Sequence, residues 1–123
     1  MSTAYYAVFH LLVEDFVGNW PFEDQRARLA RMFDHRRMRE ASFTPVDRRS
    51  PTPIEIALSD VKAAFGQLQA DRHRADYDLS WKIVATDATD AVMLAEGTFA
   101  KWRSICTEDV ARHHLLSMFG ANR

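Results

Sequence analysis

Ala4-Tyr5-Tyr6-Ala7-Val8-Phe9-His10-Leu11-Leu12 is the stretch on which the fold turns. Between Ala4 and Val17 the polar side chains other than the two tyrosine hydroxyls are His10, Glu14 and Asp15. A helix so apolar around its circumference is expected to be buried on several sides, in the middle of whatever packs around it. His10 then needs a partner, because an unpaired buried polar group costs roughly 1–3 kcal/mol. Tyr5, Phe9, Leu12 and Phe16 form one stripe, and Tyr6, His10, Val13 and Val17 form a second beside it. Ser2 or Thr3 can cap the helix, and Gly18-Asn19 is a stop signal.

The chain around this helix has 123 residues, 47% of them hydrophobic, and a formal net charge of −1. That size predicts a single domain spanning residues 1–123. The charge gives no global pull toward nucleic acid or membrane, so any basic surface must be local. Cys106 is the lone cysteine, which excludes an intrachain disulfide and fits a reducing, cytoplasmic setting. The apolar N-terminal run lacks a basic leader and is broken by Glu14 and Asp15 too early for a membrane span. Four glycines and no alternating strand of useful length point to an all-α protein.

Pro21 suits the first position of a second helix, with Glu23 and Asp24 favourable in its first turn. Phe22, Leu29, Met32 and Phe33 are its expected core side. Arg28, Arg31, His35 and Arg39 recur at helical spacing as a basic stripe, either a solvated face or a phosphate-contacting one. Residues 41–52, with Pro45 and Pro51, read as a mobile loop. Thr52-Pro53-Ile54-Glu55 is a capping box with proline at the first helical position. Ile54, Leu58, Val61, Phe65 and Leu68 then make a buried stripe whose next member is Arg72. An arginine there either snorkels outward or points into a cleft to meet a carboxylate, a tyrosine hydroxyl or a phosphate. Leu79, Trp81 and Ile83 alternate with polar residues and read as a short extended segment. A fourth helix runs from Thr86 or Asp87 to about Trp102, with Ala88, Ala91, Val92, Ala95, Phe99 and Trp102 inward. A short fifth helix is capped by Thr107, carries Val110, Leu115, Met118 and Phe119, and stops at Gly120. The expected architecture is an up-and-down helical bundle of four main helices plus a short C-terminal helix.

The sequence carries no paired-cysteine zinc pattern, no His-Glu-x-x-His helix, no Glu-x-x-His di-metal pair and no phosphate-cradling glycine loop. Neither a metal nor a cofactor is expected. His113 and His114 are adjacent and diverge by about 100° on a helix, so they do not form a joint site. One constellation stands out: His10, Arg72, Asp76 and Tyr77, on two helices able to pack together. Arginine offers a planar fork for phosphate and a neutral histidine can move protons near pH 7. The same residues can equally form a structural network in which Asp76 pairs with Arg72 and Tyr77 donates inward.

Ser2-Thr3-Ala4-Tyr5-Tyr6-Ala7-Val8-Phe9-His10 resembles the Ser-x-Ala-Tyr-Tyr-Ala-x-Phe-His helix of the HEPN superfamily (higher eukaryotes and prokaryotes nucleotide-binding), in particular of small uncharacterised prokaryotic members. Arg72-x-x-Ala75-Asp76-Tyr77-Asp78 resembles that group's Arg-x-x-Ala-Asp-Tyr-Asp, and Ala95-x-x-x-Phe99 is similar to part of its closing helix. The resemblance implies a HEPN-like bundle, commonly a homodimer, that contacts RNA or nucleotides through Arg72, Asp76, Tyr77 and the Arg28, Arg31 and Arg39 stripe. It also implies a link to toxin–antitoxin systems, in some of which a small nucleotidyltransferase neutralises the HEPN partner. Nuclease members of the family are metal-independent and carry an arginine followed by a histidine with four to six residues between them. Here Tyr77 stands at that distance from Arg72, while Arg28 and His35 meet the spacing in a different helix. The leading expectation is therefore a binding or toxin-related module without efficient catalysis. The alternatives are a metal-independent endoribonuclease, using Arg72 or Arg28 with His35 or His10 and with Tyr77 as a further catalytic candidate, and a partner-binding structural protein. The family has a further helix before the Tyr-Tyr-Ala helix, and the C-terminal helix is expected to fill that place or to join a dimer.

Overall fold

The computed structural model describes residues 2–43, 52–77 and 85–119. The expectations for residues 44–51, for Leu79, Trp81 and Ile83, and for Gly120 lie outside the described residues. The elements are α1 (Ser2–Gly18), a 3-10 turn (Glu23–Gln25), α2 (Arg26–Ala30), α3 (His35–Ser42), α4 (Pro53–Tyr77), α5 (Ala85–Ile105) and α6 (Asp109–Phe119). Among the described residues there is no strand, so the chain is all-α and forms a helical bundle.

α1 packs against both α4 and α5, and α2 lies against it as well. Tyr5, Val8, Leu12 and Val13 are buried there, with Phe9 and Val17 close behind. This matches its apolar sequence, with one difference: His10 is exposed. The Tyr6–His10 edge of the helix opens to solvent, while Val13 and Val17 further along it are covered.

α4 begins as its sequence dictates. The Thr52 hydroxyl accepts from the Glu55 amide (3.2 Å), and Glu55 Oε1 accepts from the Thr52 amide (3.3 Å) and hydroxyl (3.0 Å). Leu58, Val61, Phe65 and Leu68 are buried, and Ile54 packs at the edge of the same core.

The second helix is not continuous. Asp34 has an extended backbone (φ −115°, ψ 124°), and its side chain accepts from the Arg36 amide at 2.8 Å. An aspartate that can cap a new helix competes with helix continuation. The chain therefore turns between α2 and α3. Arg28 and Arg31 fall on one side of the break, His35 and Arg39 on the other, so these four do not make a single stripe. Ala41 and Ser42, read from sequence as the start of a loop, are buried at the end of α3.

α6 packs chiefly on α3, with further contact to α4. It buries Ala111, Leu115 and Met118 completely. It reaches α1 through one polar cluster. Asp15 accepts from the Trp102 indole of α5 (2.7 Å), from Arg112 Nη1 of α6 (3.0 Å) and from Asn19 (3.3 Å). Arg112 also donates to the Cys106 carbonyl at 3.1 Å. Trp102 is only 1% exposed, so its N–H has no ready access to water in place of Asp15. Asp15→Ala is expected to destabilise the fold by about 2–4 kcal/mol, because it strands a buried donor and a half-buried cation. Asp15→Asn, which keeps an acceptor, is expected to cost less; urea denaturation of the two variants makes the comparison.

His113 and His114 diverge as adjacent helical residues must: His113 is exposed and His114 buried. Burial first, and the Lys62 ammonium second, push the His114 imidazole down to about 3. The unfolded chain takes up this proton near pH 6.5, the folded chain only near pH 3. Stability is therefore retained in full above about pH 6.5 and falls below it, by up to about 1.4 kcal/mol per pH unit. Thermal melts between pH 7 and 4 are expected to show a shallower acid slope for His114→Gln than for the native chain or His113→Gln.

Candidate anion-binding site at Arg72

Arg72 lies four residues beyond Leu68, so the periodicity that buries α4 carries its guanidinium onto the N-terminal half of α1. Of the partners its position suggested, it meets tyrosine. Arg72 Nη1 donates to the Tyr6 hydroxyl at 2.9 Å. Its guanidinium carbon lies 5.3 Å from the Tyr5 ring centroid and 5.6 Å from that of Tyr6. Aromatic faces stabilise a cation without neutralising it. Arg72 Nε is buried and has no hydrogen-bond partner among the described residues.

His35 reaches the same two tyrosines from α3. As the first residue after the Asp34 cap, it is aimed at α1 and stacks on Phe9, with ring centroids 4.3 Å apart and planes 20° from parallel. Its Nδ1 is 2.5 Å from the Tyr5 hydroxyl, and its ring centroid is 6.0 Å from that of Tyr6. The His35 carbonyl accepts from Gln69 Nε2 of α4 at 3.2 Å. The other end of that amide, Gln69 Oε1, is also buried without a partner among the described residues.

These surroundings set the protonation states. Burial, then the Arg72 guanidinium, lowers the pKa of His35; Asp34 opposes this and His10 adds to it. Burial raises the Tyr5 phenol well above its usual value, with Arg72 partly offsetting it. A protonated phenol beside a neutral imidazole makes Tyr5 the donor and His35 Nδ1 the acceptor, which assigns the ring proton to Nε2. The arrangement thus offers an arginine with no carboxylate partner among the described residues, beside a neutral, orientable imidazole. It has the means to hold an anion and to move a proton.

The other residues singled out from sequence are distributed around it. His10 is exposed, its ring 6.3 Å from Tyr6. Tyr77 is 70% exposed and lies against His73 at 4.7 Å between ring centroids. Asp76 is exposed, and no ion pair joins it to Arg72 among the described residues. Arg28 and Arg31 are exposed on α2 and the turn after it. Arg39 is exposed on α3, 5.4 Å from the Phe43 ring centroid. Sequence reading paired Arg72 with His35 only as one of several nuclease combinations and gave no reason for them to meet. It gave Tyr5, Tyr6, Phe9 and Gln69 no part in the site. The available signal was the pair of tyrosine hydroxyls on a helix due for burial, which need partners as much as an imidazole does. No cluster of three or more His, Cys, Asp or Glu residues able to hold a metal occurs among the described residues. No family model, curated protein or solved structure matches the chain.

Removing Arg72 takes away a positive charge and admits water, and both changes favour protonated His35. In Arg72→Gln the His35 pKa is expected to rise toward about 6.5. Histidine ring NMR through a pH titration reads this directly, with exposed His113 as the internal reference.

Proposed function

We propose that the chain is a HEPN-type module that binds a phosphate of RNA or of a nucleotide at Arg72. The observation that carries this reading is the guanidinium itself. It is held over two tyrosine rings with a buried, unpaired Nε and no carboxylate against it among the described residues. A buried polar atom without a partner calls for an explanation, and a phosphate oxygen supplies one. On this reading Tyr6 cedes its hydrogen bond to the incoming phosphate, and the exposed Arg28, Arg31 and Arg39 add weaker contacts along a longer strand. Asp76 and Tyr77, exposed at the end of α4, border the approach.

The alternative, a metal-independent endoribonuclease, draws on a specific observation. His35 is neutral and shares both tyrosines with Arg72, so a proton carrier stands beside the phosphate-holding cation. On either reading the resemblance supports a cytoplasmic protein of toxin–antitoxin type, acting as a homodimer with a small nucleotidyltransferase as a protein partner. No helix among the described residues is long and apolar enough to cross a membrane.

Fluorescence anisotropy with labelled single-stranded RNA in the presence of chelator tests the reading. Arg72→Ala is expected to weaken binding at least about tenfold, and Arg72→Lys to recover only part of it, because lysine lacks the planar fork. Cleavage that disappears in both Arg72→Ala and His35→Ala assigns the endoribonuclease. RNA affinity that is unchanged by Arg72→Ala at low salt rejects the site.

A further inference from the structure

α1 and α5 leave a groove between them of about 410 Å³, lined by Ala4 and Ala7 on one side and by Val92, Ala95, Phe99 and Ala100 on the other. Its walls are nearly all apolar, and small residues line most of its length. On α5 the lining recurs at Val92, Ala95, Glu96, Phe99, Ala100 and Arg103, one continuous helical stripe. Val92 is 50% exposed and the neighbouring Met93 is 64% exposed. The C-terminal helix does not cover this surface, since α6 packs chiefly on α3 and also on α4.

The two charges on the stripe, Glu96 and Arg103, have opposite signs and suit a second copy of the same helix. Glu96 and Arg103 are both exposed and lie two turns apart, about 10.5 Å along the axis. Two copies of α5 laid antiparallel across a two-fold axis at Phe99–Ala100 put the Glu96 of each opposite the Arg103 of the other. The same axis sets each Phe99 against an Ala100, so a large side chain faces a small one. A two-fold interface must be complementary to itself in this way, and opposite charges placed symmetrically about its centre fix the register. The Arg103 guanidinium already lies over the Phe99 ring, 5.6 Å from its centroid, at the edge of the apolar stripe.

We propose that the α1–α5 groove is a self-association surface, closed by α5 of a second copy of this chain in antiparallel register. The proposal names the surface on which a homodimer forms and stands whether or not Arg72 binds phosphate.

Sedimentation equilibrium of the full chain at high micromolar concentration tests it, with circular dichroism confirming that each variant is folded. The native chain is expected to be dimeric. Glu96→Arg alone and Arg103→Glu alone, which each bring like charges together, are expected to raise the dissociation constant at least about tenfold. The double exchange is expected to restore it to within about threefold. Ala100→Arg, at an exposed helical position, is expected to give a folded monomer by filling the groove. A monomeric native chain overturns the proposal, including the case in which the groove takes an apolar ligand or a helix of another protein. A dimer indifferent to both single exchanges and to Ala100→Arg also overturns it, because that dimer uses another face. The proposal shares the homodimer of the proposed function, but RNA affinity at Arg72 is read separately, so the phosphate site and this interface can each fail alone.

Discussion

The Tyr5 hydroxyl is the interaction on which the arrangement of α1, α3 and α4 depends. α1 is apolar enough that the bundle must close over most of it, and Tyr5, at 0% exposure, lies at its most enclosed point. A phenol can be buried so deeply only if its oxygen finds a partner. The partner comes from α3, at the single residue where the Asp34 cap starts that helix. α4 then has to pass beside the same ring, and it does so with Arg72 over the face of Tyr5. The hidden hydroxyl thus takes its partner from the first residue of the helix that Asp34 caps, and Arg72 near the end of α4 lies over the same ring.

The two arginines held beside α1 have contrasting surroundings. Arg112 is matched by Asp15, and Asp15 also satisfies Trp102, so α1, α5 and α6 are tied by a cluster that uses both Asp15 oxygens. Such a cluster fixes geometry at little electrostatic cost. Among the described residues Arg72 has a hydroxyl and two ring faces in place of a carboxylate. The first arrangement is bracing. The second sets a guanidinium without a carboxylate partner among the described residues next to a histidine whose pKa is lowered by burial first and by that charge second.

Much of the bundle was legible because helical signals of different kinds agreed. The Thr52–Glu55 box and the Ile54–Leu68 stripe point to the same helix, and it forms as read. The misreadings occurred where one signal was followed against another. The basic residues of 28–39 keep helical spacing, yet Asp34 offers the backbone a cap, and the cap prevails. On α5, hydrophobicity placed Val92 inside. The buried face instead runs through Ala91, Ala95, Thr98, Trp102 and Ile105, and Thr98 is tolerated there because its hydroxyl donates to the Leu94 carbonyl at 2.7 Å. Arg72 could be singled out because it continues an apolar stripe. That it shares Tyr5 and Tyr6 with His35 could not, since this arises from a helix break and a tertiary contact between distant segments. His10, the more conspicuous histidine, lies on the edge of α1 that α3 and α4 leave open.

Charge distribution explains why the exception at Arg72 is sustained. The chain is close to neutral overall, so a lasting positive site requires that nearby acids be engaged elsewhere or face away. On α4 itself Asp71 accepts from Gln67 Nε2 at 2.9 Å, and Asp76 is exposed with no ion pair to Arg72 among the described residues. Asp34 uses its carboxylate as a helix cap. A carboxylate in contact with Arg72 would compete with any anion for the guanidinium, whereas tyrosine rings support the cation and leave its charge available. The paired tyrosines that mark α1 in the sequence therefore have two physical roles. Tyr5 closes the core around its hydroxyl, and Tyr6, at 37% exposure, holds the arginine at the surface in a contact that an anion can replace.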